Sequence, residues 1–328
     1  MTEPPTTHED LPVGRQKWLR NLLRRLREPR TPALPVAPST LSEPRKGDEP
    51  LVEEPFLPFL NVMREPLLPT QVLTGGGALA ADHGTGPSWT VRATSVVGSW
   101  HASRGMPRQD AYGLLRLDDQ DLLVLGVADG LGSTPRADVA AQQALYGALE
   151  SLRVEVPRTR GAFDMPALLT QAVADAAEAV LRLGGQHERR PATTLTLVAV
   201  DLADSRLLHM ANVGDSRALR LRGAWAFLTA DPEDVSAGGV TQALPHDAQR
   251  VITATSSWQP GDAVLLATDG LLDSLGGLRA RPDPDLHEEW AQVPPFDRFV
   301  SEVAAPVRGC SDDRTALVAW LSQAAELL

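Results

Sequence analysis

The stretch Leu122-Leu-Val-Leu-Gly-Val-Ala-Asp129-Gly130 joins an apolar run to an acidic ending. Such a run predicts a strand that is buried on both faces, so the carboxylate at its end loses much of its water. The carboxylate stays ionised only where a cation or hydrogen bonds replace that water. The run from Ala263 to Thr268 is followed by Asp269-Gly270 in the same way. The sequence therefore predicts two buried strands with a carboxylate at the end of each.

Two further acidic motifs lie far from these runs along the chain, Gln109-Asp110 and Asp312-Asp313-Arg314-Thr315. Carboxylates that converge on one place repel each other unless metal ions lie between them. Oxygen ligands favour Mg²⁺ or Mn²⁺ over zinc or copper, and a pair of such ions activates water for attack on phosphorus. A lone Asp-Gly pair usually forms a turn. Two such pairs behind buried runs, with two more acidic motifs, instead favour a metal site and hydrolytic chemistry.

The composition argues against several other classes of protein. The 328 residues carry a net charge of 31 − 42 = −11, which argues against a general nucleic-acid-binding protein. Cys310 is the only cysteine, so the sequence excludes a disulfide within the chain and a cysteine-based zinc site. It has no apolar run of about 18 residues and no secretory pattern at its start. We expect a cytoplasmic protein, and a monomer.

Residues 1–88 differ from the rest of the chain because proline is dense in them, which prevents long helices and strands. We expect a largely disordered arm there, ahead of a folded domain at 89–328. Residues of about 15–28 predict a short basic amphipathic helix within the arm. Its apolar positions are Trp18, Leu19, Leu22, Leu23 and Leu26, and its basic positions are Arg15, Lys17, Arg20, Arg24, Arg25 and Arg27. The helix either docks on an anionic membrane surface or a protein partner, or is loosely attached.

The folded part shows groups of strands with helices between the groups. This order predicts a layered α+β fold rather than a regular alternation of strands and helices. The predicted strands are 90–97, 122–128, 194–200, 207–213, 218–221, 251–253, 263–268 and 315–320, and the predicted helices are 137–152, 165–183 and 296–307.

Seven segments in order resemble the metal-dependent protein phosphatases, the type 2C serine/threonine phosphatases, in a bacterial branch of that family. They are GSWHASRGMPRQDAYG (98–113), LVLGVADGLGSTPRADVAA (123–141), ATTLTLVAV (192–200), ANVGDSRALRLR (211–222), VTQALP (240–245), WQPGDAVLLATDGLLDSL (258–275) and SDDRTALVAW (311–320). The resemblance implies a four-layer αββα sandwich of two antiparallel sheets flanked by helices. It also implies a site for two Mn²⁺ or Mg²⁺ ions, with a third ion in many members.

The resemblance implies a role for each matching acidic residue. Asp129 bridges both ions, and the carbonyl of Gly130 binds one of them. Asp269 and Asp312 bind the other ion. Asp110 holds a metal-bound water without binding an ion itself.

Three further positions extend the family pattern or depart from it. Asp215 matches a position that helps to bind the third ion, and the alternative is a structural turn in which it bonds Ser216 and Arg217. Gln109 stands where many members carry Glu, and a neutral amide is a weaker ligand for a hard cation. Asp313 stands in place of Asn, which adds negative charge and is expected to strengthen metal affinity.

Family members usually carry an arginine shortly before the first acidic motif, where it binds the substrate phosphate. The spacing is shorter in this chain, and the candidates are His101, Arg104 and Arg108. Arg104 is favoured, because a guanidinium makes bidentate contacts with phosphate. The alternative for each is a loop residue without such a role. The segment of about 231–239, which corresponds to the flap of the family, is short, so substrate selection by a flap is in doubt.

These observations predict a serine/threonine protein phosphatase that hydrolyses phosphoserine and phosphothreonine by direct attack of a metal-activated water. Its partners are phosphorylated proteins, the products of a serine/threonine kinase, and no nucleic acid. The alternative is a catalytically weak or inactive phosphoprotein-binding module on the same fold, which Gln109 permits. A third hypothesis is that the protein is a metal-dependent hydrolase of another phosphoester.

Overall fold

The computed structural model describes residues 60–62, 73–74, 78–158, 164–184, 190–203, 205–228, 241–275 and 290–322. The expected basic helix at about 15–28 lies outside the described residues, and so does the short segment at 231–239.

Two stacked sheets form the centre of the described part. Their strands are β1 Leu60–Val62, β2 Leu73–Thr74, β3 Leu79–Gly86, β4 Trp89–Val96, β5 Asp110–Leu117, β6 Leu122–Asp129, β7 Leu195–Asp201, β8 Leu207–Val213, β9 Arg217–Arg222, β10 Ala224–Phe227, β11 Ile252–Ser257, β12 Ala263–Ala267 and β13 Arg314–Leu321. The first sheet has the order β1-β3-β4-β13-β12-β9-β10, and the second has the order β11-β8-β7-β6-β5-β2. Neighbours are antiparallel, except that β1 runs parallel to β3.

Helices cover the outer face of each sheet, namely α2 Ala137–Glu155, α3 Met165–Leu181, α4 Asp269–Ser274 and α5 Phe296–Ala304. A further short helix, α1 Ser99–Ala102, follows β4. Leu145 of α2 and Leu169 of α3 pack in one core with strand residues of the second sheet. Leu271 of α4 and Phe299 of α5 pack in another core with the first sheet. A third core lies between the sheets, so the four-layer αββα sandwich is confirmed.

Strand β6 shows why the opening stretch forms a strand with two buried faces. Leu122 and Val124 pack on the side of α2 and α3, and Leu123 and Leu125 pack between the two sheets. Successive side chains of a strand point to opposite faces, so only an apolar run can serve both cores. The strand delivers Asp129 to the edge of the sheet.

Five strands were not predicted from the sequence, namely β1, β2, β3, β5 and β10. Strand β3 pairs with β4 along its length, so the sheet includes residues ahead of the expected domain start at Trp89. Its sequence, LAADHGTG, lacks a regular apolar pattern. The polar Asp82 is nevertheless buried, and it accepts a hydrogen bond from the hydroxyl of Tyr112 on β5. None of the helices in the described ranges is both long and apolar enough to cross a membrane.

Candidate metal centre

The four acidic motifs meet at one end of the sandwich. Asp110 begins β5 and lies directly opposite Asp129, the last residue of β6. In the other sheet, Asp269 follows β12 and opens α4, and Asp312 lies just ahead of β13. Because β12 and β13 are paired, these two ends also lie together. The motifs are far apart in sequence, and the antiparallel registers bring them to one edge.

Three half-buried carboxylates form the centre of this edge. Asp129, Asp215 and Asp269 each offer an oxygen, and these three oxygens lie within 4.8 Å of one another. They line a cleft of about 390 Å³. The cleft is lined by Trp100, His101, Gln109, Asp129, Gly130, Leu131, Gly132, Thr194, Asp215, Thr241, Asp269, Ser311 and Asp312. All five predicted metal ligands therefore line the same cleft, namely Asp129, Gly130, Asp215, Asp269 and Asp312.

Two glycines allow the strands to approach each other closely at the cleft. A Cβ on Gly270 would lie 2.0 Å from the carbonyl oxygen of Asp313, which a real side chain cannot do. A Cβ on Gly130 would lie 2.3 Å from the carbonyl oxygen of Ala137 at the start of α2. Close packing thus explains why glycine follows each aspartate, because only a residue without Cβ fits at Gly130 and Gly270.

Two threonines that the sequence reasoning did not single out fix the backbone of Asp129. Its N–H donates to Thr194 Oγ1 at 3.0 Å. Its carbonyl oxygen accepts from the N–H of Thr194 at 2.8 Å and from Thr193 Oγ1 at 2.9 Å. The only signal in the sequence was the position of this Thr-Thr pair just ahead of β7. The carboxylate of Asp129 is therefore presented on a rigid strand end.

Asp110 is buried behind the three carboxylates. Its Oδ2 accepts hydrogen bonds from Thr268 Oγ1 at 2.7 Å and from Thr315 Oγ1 at 2.8 Å. Burial raises the pKa of Asp110 well above its ordinary value, the charge of Asp313 raises it further, and the two hydroxyl bonds lower it. The pKa of Asp129 is also raised well above its ordinary value, first by burial and then by the charges of Asp110 and Asp269.

Asp313 is turned into the protein rather than towards the cleft. Its Oδ1 accepts from the N–H of Gly98 at 2.6 Å and lies 2.9 Å from His101 Nδ1. Its Oδ2 accepts from the N–H of Gln109 at 2.6 Å. Both oxygens accept hydrogen bonds within the fold, so Asp313 holds the wall of the cleft. That its negative charge also strengthens metal affinity stays a prediction.

The sequence profile of the family described as Protein phosphatase 2C matches residues 97–322. The chain belongs to the protein phosphatase 2C family. The curated relatives include the probable protein phosphatase 2C BIPP2C1 of Oryza sativa subsp. japonica, which is 28% identical over 152 residues. That match covers 46% of the chain and 25% of the rice protein, so the chain spans about a quarter of the length of the curated relatives it matches.

Solved structures show the same protein phosphatase 2C fold. The S. agalactiae serine/threonine phosphatase has a TM-score of 0.55 at 16% identity, with 71% of this chain and 100% of that chain covered. The Mycobacterium tuberculosis phosphatase PstP/Ppp has a TM-score of 0.53 at 23% identity, with 72% and 99% covered. The catalytic domain of PstP in complex with two manganese ions has a TM-score of 0.52 at 22% identity, with 72% and 99% covered.

The donor set of the cleft fits hard divalent cations, which the protein phosphatase 2C family uses. Three carboxylate oxygens within 4.8 Å repel one another unless positive charge lies between them. Gln109 lines the same cleft, and its buried Oε1 has no hydrogen-bond partner among the described residues. An oxygen that lacks a donor within the protein is satisfied by water or by a cation. A second group, His101 with Asp312 and Asp313, is a poorer candidate, because both oxygens of Asp313 already accept hydrogen bonds from the fold.

The three candidates for phosphate binding lie in three different environments. His101 is buried and lines the cleft. Arg104 is exposed, and its guanidinium lies 4.1 Å from the ring centre of Trp100 rather than among the cleft-lining groups. Arg108 is buried near Asp110, and burial lowers its pKa while the charge of Asp110 raises it. Of the three, His101 alone is brought into the described wall of the cleft.

Asp215 lies in the carboxylate cluster, although the sequence left its role open. Its Oδ2 accepts a hydrogen bond from Thr241 Oγ1 at 3.0 Å. Ser216 Oγ instead pairs with Thr194 Oγ1 at 2.9 Å, and Arg217 donates to the carbonyl oxygen of Gly214 at 3.2 Å. The carboxylate of Asp215 is thus directed towards the cleft, where both Asp215 and Thr241 form part of the lining.

Proposed function

We propose that the protein is a Mn²⁺- or Mg²⁺-dependent phosphatase that hydrolyses phosphoserine and phosphothreonine in proteins. The observation that carries this proposal is the cluster of Asp129, Asp215 and Asp269, whose oxygens lie within 4.8 Å in an open cleft. Carboxylates gathered at this distance repel one another, and cations between them would remove that repulsion. Membership of the protein phosphatase 2C family gives the reaction class.

The proposed ligands are those that face the cleft. Asp129 would hold both ions of a pair, with the carbonyl of Gly130 on one of them and Asp269 and Asp312 on the other. Asp215 would contribute to a third position. When bound, such ions supply positive charge for the phosphoryl oxygens and lower the pKa of water.

The remaining residues handle hydrogen bonds and protons. The hydroxyls of Thr268 and Thr315 donate to Asp110 and favour its ionised form, which accepts hydrogen bonds. We assign to Asp110 the orientation of the attacking water. His101 has its Nδ1 fixed on Asp313, so its other nitrogen is positioned for the phosphoryl oxygens. Water attacks phosphorus, and the bond between phosphorus and the ester oxygen breaks. A proton equivalent to one from the attacking water reaches the ester oxygen, so serine or threonine leaves as the alcohol and inorganic phosphate is the other product.

Activity on a chromogenic aryl phosphate with Mn²⁺ tests the proposal directly. EDTA should abolish turnover, and Asp129→Ala or Asp269→Ala should lower it by several orders of magnitude. Asp119→Ala is the matched control, because Asp119 is exposed and far from the cleft in the loop between β5 and β6. Turnover near that of the parent protein in either cleft variant would show that the assignment is wrong.

A phosphoprotein-binding module with weak or no activity is the second candidate function. The observation in its favour is Gln109, a neutral amide with an unsatisfied oxygen where many family members carry Glu. Calorimetric titration with Mn²⁺ separates the two functions, because an inactive module should lack binding at two sites. Gln109→Glu gives a further test, since it should raise turnover strongly only if the amide limits the reaction.

We also propose that the basic segment at 15–28 docks the protein on an anionic membrane surface or a protein partner. The full chain with Arg20, Arg24 and Arg25 replaced by Glu should no longer sediment with vesicles that contain anionic lipid. Equal sedimentation of both chains would contradict membrane docking. Phosphorylated proteins, the products of serine/threonine kinases, are the proposed substrates.

A further inference from the structure

Trp100 forms an exposed wall at the rim of the cleft. Its side chain lines the cleft while 42% of the residue surface remains open to solvent. The residue belongs to the short helix α1, and its N–H donates to the carbonyl oxygen of Ser311 at 3.0 Å. A large aromatic side chain that stays exposed beside a functional cleft is typical of a binding surface.

The ring of Trp100 is fixed from the inside of the protein. It packs edge-on against His101, with 4.9 Å between the ring centres and 83° between the planes. His101 is in turn held by the buried Asp313 at 2.9 Å. The exposed ring of Trp100 is therefore held in place by His101, which is itself held by Asp313 in the wall of the cleft. A rigid aromatic surface loses little entropy when a peptide binds to it.

Arg104 adds a positive charge to the same surface. Its guanidinium lies 4.1 Å from the ring centre of Trp100, and its Nη1 donates to the carbonyl oxygen of Trp100 at 3.1 Å. Within the described ranges, Arg104 makes no ion pair with a carboxylate, whereas Arg116, Arg153 and Arg222 each do. Arg104 is thus a preorganised cation whose charge is not neutralised by the fold.

We propose that Trp100 and Arg104 form a docking platform for the polypeptide next to the phosphorylated residue, and that Arg104 pairs with an acidic or phosphorylated side chain there. This inference rests on the proposed phosphatase function and adds a substrate class to it. The preferred substrates are phosphopeptides with Asp, Glu or a second phosphorylated residue within about three positions of the first, a span of about 10 Å.

The overall charge of the chain explains why such a platform is useful. Bound cations offset the carboxylates of the cleft, but the chain as a whole has a net charge of −11. A protein of this charge repels an acidic substrate unless a fixed cation lies where the flanking residues of the substrate bind. Arg104 is not among the residues that line the cleft, and its guanidinium lies over the ring of Trp100 at the rim. Its geometry therefore suits a flanking charge rather than the reacting phosphate.

The test compares three substrates with Mn²⁺ present: an aryl phosphate, a phosphothreonine peptide with neutral flanks, and the same peptide with Glu placed in turn at each flanking position. The acidic peptide that wild-type protein prefers should lose about two- to fivefold in kcat/KM in Arg104→Ala, mainly through KM, as for an exposed ion pair. Arg104→Glu should lose about tenfold, because it places like charges together. The neutral peptide and the aryl phosphate should change little, and the preference should weaken at high salt.

Two further variants complete the experiment. Trp100→Ala should raise KM for both peptides, because it removes the aromatic surface on which the polypeptide lies. Arg206→Ala is the matched control, since Arg206 lies 5.6 Å from the ring centre of Trp258 in a similar pair away from the cleft. It should change none of the three substrates.

Several outcomes overturn the inference. An equal loss on the aryl phosphate in Arg104→Ala would show that Arg104 contacts the reacting phosphate. Equal values of kcat/KM for acidic and neutral peptides in the wild-type protein, or an unchanged acidic preference in Arg104→Glu, would show that the rim does not select charge. If wild-type protein hydrolyses none of the three substrates, the proposed phosphatase function fails and the platform fails with it.

Discussion

Asp110 and Asp129 face each other directly across the antiparallel strands β5 and β6. Facing residues of such a pair project from the same side of the sheet, so the two carboxylates share one small, poorly hydrated space. The pKa of each is raised, first by burial. The second cause is the charge of Asp313 for Asp110, and the charge of Asp110 itself for Asp129. The register of β5 and β6 thus places two carboxylates where a nearby positive charge would stabilise them.

We expect the metal-free protein to lose stability as the pH rises. Because the two carboxyl groups have raised pKa values in the folded protein, the folded chain holds more protons than the unfolded chain above about pH 4. The free energy of unfolding therefore falls as the pH rises from that point through the raised values. Asp129→Asn removes one charge and should raise the melting temperature in EDTA at about pH 8, by about 2–4 °C for each kcal/mol gained.

Thermal melts between mildly acidic and mildly alkaline pH measure this effect. Excess Mn²⁺ should reverse the order of the two proteins, because only the wild-type chain keeps its full ligand set. Asp119→Asn, at an exposed position, should melt as the wild type does under both conditions. The explanation fails if Asp129→Asn keeps the same dependence of melting temperature on pH in EDTA.

The close approach of α4 to the start of β13 depends on Gly270. An added Cβ would lie 2.0 Å from the carbonyl oxygen of Asp313 and 3.1 Å from Cβ of Asp312. We expect Gly270→Ala to lower the free energy of unfolding by about 1–3 kcal/mol, the usual range for overpacking, and to displace Asp312 from the cleft. Denaturant unfolding and Mn²⁺ titration measure the two effects.

Gly184→Ala is the control for Gly270→Ala, because the nearest atoms to its added Cβ lie at an ordinary 3.6 Å. It should keep Mn²⁺ affinity and nearly all stability. Wild-type Mn²⁺ affinity in Gly270→Ala would show that the approach of the two segments is not needed for the site.

The sequence predicted the features that depend on local pattern. The apolar run of β6 could be recognised because it supplies two cores at once, and Asp129 and Asp269 could be recognised because each follows such a run. Strand β3 was missed because Asp82, His83 and two glycines interrupt its apolar residues, although Asp82 is buried against Tyr112 in the folded protein. A partner 30 residues away compensates for a local pattern that is unfavourable for a buried strand.

The roles of the polar residues around the site could not be predicted in the same way. Asp312 and Asp313 are neighbours, and successive residues of an extended segment face opposite sides. Which of them faces the cleft depends on the pairing of β13 with β4, a long-range register. The hydroxyls of Thr268 and Thr315 meet Asp110 from sequence distances of 158 and 205 residues. Short polar side chains carry no pattern that identifies such distant partners.

Asp313 should affect the cleft wall more than metal binding. Asn at this position keeps only one acceptor oxygen, so the N–H groups of Gly98 and Gln109 and the ring of His101 compete for it. We expect Asp313→Asn to lower the free energy of unfolding by about 1–3 kcal/mol, as for an unpaired buried donor. Mn²⁺ affinity should stay within about threefold, under about 1 kcal/mol of binding free energy.

Asp269→Asn is the comparison for Asp313→Asn in calorimetry, since Asp269 lies in the carboxylate cluster. It should weaken Mn²⁺ binding far more than Asp313→Asn does. Similar losses in both variants would show that the charge of Asp313 contributes to the metal site, as the sequence alone had led us to expect.

The hydroxyls of Thr268 and Thr315 should control the pH at which the proposed phosphatase becomes active. Both donate to Asp110 Oδ2, and both lower the pKa of this carboxyl group against the effect of burial. Valine at either position removes a donor while it keeps the shape, so the pKa of Asp110 should rise further. Because the proposed role of Asp110 requires its ionised form, the acid limb of the pH–rate profile should move to higher pH, and the double variant should move it most.

Thr196→Val controls for the loss of a buried hydroxyl. Thr196 Oγ1 donates to Asn212 Oδ1 at 2.6 Å elsewhere in the second sheet. This variant should lower stability without moving the acid limb. An unmoved acid limb in the double variant, with Mn²⁺ saturating at every pH, would exclude Asp110 as the group whose ionisation governs the rate.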